Sequence, residues 1–424
     1  MTTGLAGVAI PGSWEWLPLK HVAISINRGS APDYTDDGQV WAISQAANQP
    51  EGLDWSRTRF HACNGNAAKL KGLLRPNDVL INSTGRGTLG RVGYFSGTPD
   101  SRPAMADGHV TRLRARPGVL HPRFVYHYLQ SEPFQHYLYS ALVVGATNQI
   151  ELVGERLAAA PIPLPSLDEQ RRIADFLDEQ LALLDRVIAL RQRQAELETE
   201  RFEDFRESVV EADERAFLSP LLNLIDRARP INYGVLMPGP RLEEGIPLVE
   251  AGDVMRGPIC LARLRLTDPS IEAEFKRSRL REGDLVMAIR GSVGRVQITP
   301  GGVPIVNVTR DAARISLNSK IALNAYVRHA LSARRSQEWL GIRITGSAVT
   351  GINIGDLRKV PIMVPELKVQ CEWASELDKA EAYLASLKYY MLQGRSLLVE
   401  RKQALITAAV TGKIDVTTAR RVDI

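Results

Sequence analysis

A repeat at a spacing of 200 residues constrains this chain more than any other feature. Residues 157–210, beginning LAAAPIPLPSLDEQ, align without a gap onto residues 357–410, beginning LRKVPIMVPELKVQ, with 15 identities in 54 positions. Composition alone would match about one position in fifteen. Among the matched pairs are Pro161/Pro361, Pro165/Pro365, Gln170/Gln370, Leu177/Leu377, Leu184/Leu384, Glu200/Glu400 and Val210/Val410. The segment is duplicated, and a duplication sets the reading of everything around it.

Each copy opens on apolar residues between two prolines (PIPLP, PIMVP), which reads as a short extended piece because proline disfavours helix in the residue before it. A long helix follows. Ser166 is placed to cap the first, with Glu169 three residues on as in a capping box; Glu366 takes the serine's place in the second, a weaker cap. Leu177, Leu181, Leu184, Ile188, Arg191, Ala195, Glu198, Phe202, Phe205 and Val209 then recur at steps of three and four, as do Leu377, Ala380, Leu384, Leu387, Met391, Gly394, Leu398, Arg401, Leu405 and Ala408. That alternation predicts a coiled-coil seam, and each helix has room for about 45 residues, roughly 65 Å. Two ordinary core helices are the plainer alternative. The simplest arrangement packs the two helices on each other.

The 424 residues are enough for two or three domains. No apolar run reaches membrane-spanning length and the first residues lack a signal-peptide pattern, which predicts a cytoplasmic protein. Cys63, Cys260 and Cys371 lie too far apart for a disulfide framework or a zinc cluster. The net charge of +5 is uneven: residues 1–165 carry +3, 166–212 carry −6, 213–365 carry +7, 366–414 carry +1, and 415–424 none. Positive charge therefore sits in the segments before each long helix, above all the second, as a polyanionic partner would require.

Those two segments share a second echo. Residues 74–81 (LRPNDVLI) and 280–287 (LREGDLVM) each place a turn before an apolar strand, and each is followed by a glycine loop, residues 85–93 and 291–296. Thr84, Arg86, Thr88 and Arg91 surround the first loop; Arg290, Ser292 and Arg295 surround the second. Glycines there either turn a hairpin or let backbone approach another molecule, while arginine is the usual reader of guanine edges and phosphates. A helix pair is expected at 120–142 and again at 322–341. A polar loop follows each, with Asn148 and Gln149 in one and Thr350 and Asn353 in the other. Tyr126, His127, His136 and Tyr137 read as packing residues.

Catalytic motifs are scarce. The sequence holds no [DNS]PP[YFW], no Walker lysine, no GxSxG elbow and no HExxH. Glu274-Phe275-Lys276, with Asp268 nearby, resembles part of a metal-dependent nuclease site but lacks the supporting spacing. The pattern is that of a reader of nucleic acid.

The Pro-flanked lead-in, the L-x-E-Q-x-x-I opening of the helix, residues 245–254 with 280–296, and the opening PGSWEWLPL together resemble the specificity subunit of type I restriction-modification systems, over essentially the whole chain. The resemblance implies an α+β chain with two pseudo-repeat target-recognition domains separated by two long antiparallel coiled-coil helices. Its parts are a first recognition domain at 1–165, a central helix at 166–212, a second recognition domain at 213–365, a C-terminal helix at 366–414 and a tail at 415–424. Each domain would read one half of a bipartite asymmetric double-stranded DNA target. The helices would dock two modification (methyltransferase) subunits, which restriction subunits join. No cofactor is expected in this chain; S-adenosylmethionine, Mg and ATP belong to the partners. The candidate DNA contacts are Thr84, Arg86, Thr88, Arg91, Asn148 and Gln149 for one half-site, and Arg290, Ser292, Arg295, Thr350 and Asn353 for the other. A stand-alone DNA-binding protein, or a nuclease with its own metal site, is the alternative.

Overall fold

The computed structural model describes residues 4–63, 65–145, 150–211, 216–302, 305–345 and 350–418. The first module runs β1 (Glu15–Pro18), β2 (Ala23–Arg28), β3 (Asp78–Asn82), β4 (Val92–Phe95), β5 (Val110–Ala115), α1 (Pro122–Gln130), α2 (Glu132–Tyr137) and β6 (Pro161–Leu164) into the helix α3 (Leu167–Val210). The second runs β7 (Phe217–Pro220), β8 (Asn232–Tyr233), β9 (Leu285–Ala288), β10 (Val296–Ile298), β11 (Ala312–Ile315), α4 (Asn324–Ser332), α5 (Arg334–Gly341) and β12 (Pro361–Val364) into the helix α6 (Leu367–Val410). Sheet order repeats with the elements: β2-β5-β3-β4 in one, β8-β11-β9-β10 in the other. The Pro-flanked pieces are strands, β6 pairing antiparallel with β1 and β12 with β7.

The turn-then-strand motifs lie at the centre of each module. In β3, Val79 and Ile81 enter the core shared with α1, whereas Leu80 enters a second core under the neighbouring sheet. In β9, Leu285 and Met287 face α4 while Val286 and Ala288 face the second core. Alternate side chains leave a strand on opposite faces, so burial on both faces explains why both stretches are continuously apolar. The turn aspartates are structural. Asp78 is bound bidentately by Arg114 and accepts from Arg75 N at 2.8 Å. Asp284 is bound by Arg229 and Ser316 and accepts from Arg281 N at 2.7 Å.

Both long helices have 44 residues. Ser166 Oγ accepts Glu169 N at 3.3 Å, the expected cap. Two compact units form, Met1–Arg191 with Leu392–Ile424 and Gln192–Met391, so each unit takes half of each helix. In the first unit Ile173 and Leu177 share a core with Ile406, Ala409 and Val410, and Lys402 pairs with Asp185 further along, so the helices run antiparallel. Most seam positions are the less exposed ones, Leu177, Leu184, Leu377 and Leu384 among them. Phe205 is an exception at 37% exposed, and Arg206 takes its place at 6%. The guanidinium of Arg206 stacks on Phe202 at 4.6 Å, pairs with Glu203 and donates to Ser332 O at 3.1 Å, contacts that draw this residue inward. Among the described residues no helix is long and apolar enough to cross a membrane.

A duplicated His–Asp contact ties module to helix within each unit. His127 Nε2 lies 2.7 Å from Asp178, which also binds Arg123; His329 Nε2 lies 2.9 Å from Asp378, which also binds Arg328. Burial, then in the second pair the Arg328 charge, lowers the pKa of His329 to about 4 from its ordinary 6.5. Burial would raise Asp178, but hydrogen bonds from His127 and Arg123 hold it down to about 2. A histidine with a depressed folded pKa takes up its proton more readily when unfolded, so its contribution is complete at pH 7 and lost as pH falls through 6.5 toward 4. Acidification from about pH 7 to pH 5 should cost the second unit about 2 kcal/mol through this group. Urea titrations at both pH values should show that loss shrinking in His329→Gln; an undiminished loss would assign the pH dependence elsewhere.

Candidate nucleic-acid interface

The glycine loops lie at corresponding edges of the two modules. Gly85, Gly87 and Gly90 have φ of +102°, +76° and +77°, and Gly291 and Gly294 have +72° and +98°, values L side chains rarely adopt. The later glycine of each loop is anchored. Gln135 Nε2 donates to Gly90 O at 3.0 Å and Leu129 O at 2.6 Å; Gln337 Nε2 donates to Gly294 O at 3.0 Å and Leu331 O at 2.6 Å. The tips are open: nothing lies within 4 Å of a Cβ built on Gly87 or Gly291.

Three chain segments meet at each edge. In the first module, Thr84 bridges to Glu151. Its Oγ1 lies 2.7 Å from His109 Nδ1, and Ser83 N donates to His109 O at 2.8 Å. Arg28 binds Glu151 and Gly108 O across the same edge. In the second module, Arg290 bridges to Gly351, Arg290 N donates to Asp311 O at 3.3 Å, and Gly291 N donates to Thr350 O at 2.8 Å. The strand registers make Arg290 the counterpart of Thr84, Asp311 of His109, Gly351 of Glu151 and Tyr233 of Arg28. The backbone frame is the same; the side chains on it differ in charge and size.

The expected contact residues fall into distinct environments. Arg86, Arg290 and Ser292 are exposed at the tips. Thr88 Oγ1 donates to Thr84 O at 3.2 Å and Thr350 Oγ1 to Gly291 O at 2.9 Å, which shapes the loops. Arg91 Nη1 donates to Asn48 O and Gln49 Oε1, both at 3.0 Å, holding a neighbouring turn. Arg295 lines a cleft with Glu203, Arg206, Arg328 and Glu381, on the long-helix side. Asn353 caps a short helix, its Oδ1 accepting Asp356 N at 2.8 Å. Asn148 and Gln149 lie outside the described residues. Arg28, His109, Tyr233 and Arg310 belong to the edges and were not singled out from sequence, because strand pairing across roughly 30 to 80 residues brings them there and no local pattern marks it.

No catalytic grouping emerges at the nuclease-like triplet. Asp268 caps the helix Pro269–Ala273 by accepting Ser270 N at 2.7 Å. It is Glu272, outside the triplet, that is buried, held by Arg279 at 2.7 Å and Asn307 at 2.8 Å. Among the described residues His329, Asp378 and Glu381 have metal-ligand spacing, but the Arg328 guanidinium already sits 2.6 Å and 2.7 Å from the two carboxylates. A divalent cation there would face that fixed charge.

Residues 47–199 and 242–388 match the type I restriction modification DNA specificity domain, each match running from a module into its long helix. The chain is 28% identical over 385 residues to the type I restriction enzyme EcoBI specificity subunit of Escherichia coli, covering 81% of this chain and 80% of that one. Its fold resembles a chain solved in work on complex assembly and conformational transition of the type I R-M system, with a TM-score of 0.75 at 18% identity, covering 96% and 99% of the two chains. It also resembles the HsdS subunit from Thermoanaerobacter tengcongensis, with a TM-score of 0.54 at 19% identity and coverage of 96% and 99%. Two matched domains on a duplicated frame place the chain in a family: it belongs to the DNA specificity subunits of type I restriction-modification systems.

Proposed function

We propose that this chain reads a bipartite, asymmetric DNA target, one half-site per module, and leaves the chemistry to partner subunits. The observation that carries this is the pair of edges with one backbone frame and different side chains: Thr84, His109 and Glu151 on one, Arg290, Asp311 and Gly351 on the other. Two readers of common geometry and unlike chemistry suit a target whose halves differ. Positive charge on both modules supplies salt-dependent affinity, and the loop tips supply base contacts.

The long helices are the docking surface for two methyltransferase subunits, with restriction subunits joining them. Large apolar side chains stand exposed on α6, Leu392, Leu397 and Val399 in one unit and Tyr383, Tyr389 and Tyr390 in the other. Such surface on a helix marks contact with another protein. S-adenosylmethionine, Mg and ATP then act on the partners, and the assembly works in the cytoplasm, where the DNA is. Sequencing methylated adenines in cells that express the chain with its modification subunits tests the proposal. A split motif with unlike halves at constant spacing is expected; a continuous palindrome would contradict it.

A further inference from the structure

The edge of the second module continues beyond Arg290 to two apolar side chains. The turn at residues 309–311 is bonded on one side to Arg290 (Arg290 N to Asp311 O, 3.3 Å) and on the other to Val235 (Arg310 N to Val235 O, 3.0 Å). Val235 N donates in turn to Val308 O at 2.8 Å. Leu236 and Met237 come next, 46% and 80% exposed. The far end of their loop is held as well, Thr267 Oγ1 donating to Pro238 O and Arg265 Nη2 to Gly239 O, both at 2.8 Å. Two large apolar groups therefore stand in water on backbone fixed at both ends.

Holding apolar surface in water is unfavourable, so a fixed loop that presents it is set up for a partner to cover. The setting names the partner's chemistry. Arg310 is exposed beside the tip, Arg290 lies on the other flank of the turn, and this module carries the largest net positive charge of the chain's segments. A polyanion with an apolar group on its reading edge fits both facts. In duplex DNA that group is the thymine C5-methyl in the major groove. The first module lacks the feature. Gly29 and Gly234 hold the same place, each so close to the adjoining strand that a Cβ would collide with backbone (Ala106 O and Val308 O), yet Gly29 is followed by Ser30, Ala31 and Pro32.

We propose that Leu236 and Met237 form an apolar base-reading tip, specific to the second module, that packs on a thymine methyl in its half-site. This rests on the DNA-reading edge proposed above. The test is a double-mutant cycle between protein and DNA. The full chain, in its native complex, is titrated with duplexes in which each thymine of the second half-site is replaced in turn by uracil. One replacement should weaken binding about fourfold, the worth of one buried methyl group. Met237→Ala should lose as much on thymine DNA and nothing further on that uracil duplex. Its salt slope should match the native chain's, because no phosphate contact is lost. The assignment is overturned if no uracil costs binding, if the two losses multiply, or if the salt slope falls. Arg290→Ala on the same duplexes separates two failures: a loss of second-half preference there with no effect of Met237→Ala sinks only the tip, whereas no effect of either sinks the edge.

Discussion

Replacing Gln370 by leucine is expected to destabilise the second unit by about 3–5 kcal/mol, more than any surface change in the chain. Gln370 is fully buried, its Nε2 donating to Ile321 O at 3.0 Å and Pro365 O at 2.8 Å while its Oε1 accepts Leu323 N at 2.8 Å. Gln170 makes the same three bonds in the first unit, to Val119 O, Pro165 O and from His121 N. One side chain thus closes the turn into the long helix and fixes the entry to α4 or α1. Leucine has similar volume, so packing survives while two carbonyls and an amide lose their partner, the Pro365 carbonyl in a fully buried bond and the other two in partly buried ones. Each such group costs about 1–3 kcal/mol. Hydrogen exchange should show protection falling at residues 321–331 and 365–370 and unchanged in the first unit. A loss below about 1 kcal/mol in urea unfolding would mean the three bonds hold little.

Arg290→Ala should weaken binding by about 1–3 kcal/mol and relax sequence preference in one half-site only. Arg290 is exposed at the loop tip, its backbone fixed by Gly351 and Asp311, so the guanidinium is presented from a held base. Truncating it should leave stability within about 0.5 kcal/mol, since the side chain is exposed. Binding to duplexes with either half randomised reads the effect. Equal losses for both halves would make Arg290 a general phosphate contact and not a reader of bases.

The repeat made much of this fold legible. Identities at a fixed offset located both long helices, whose bounds at Leu167–Val210 and Leu367–Val410 follow the prolines before them. Pairing of Gln170 with Gln370 was visible as an identity, but its meaning was not, because its three partners lie about 50 residues away or across a turn. His127 reads as a packing residue, and His329 carries no signal at all, for the same reason: the carboxylates they meet are on another element. At the edges, hydrogen bonding adds what residue type does not carry. Arg91 and Asn353 have the chemistry of base readers, yet the structure uses both to hold backbone or cap a helix. Arg310 and Met237 carry no motif, and only the bonds of the 309–311 turn, to Val235 on one side and Arg290 on the other, bring their segments to one edge.

The central claim is that each module reads its own half of the target. Methylated adenines should be sequenced in cells whose chain has residues 216–360 exchanged for those of a relative with a different target. One half of the methylated motif should change while the other half and the interval between them stay as they were. A motif altered in both halves, or in neither, would contradict the account.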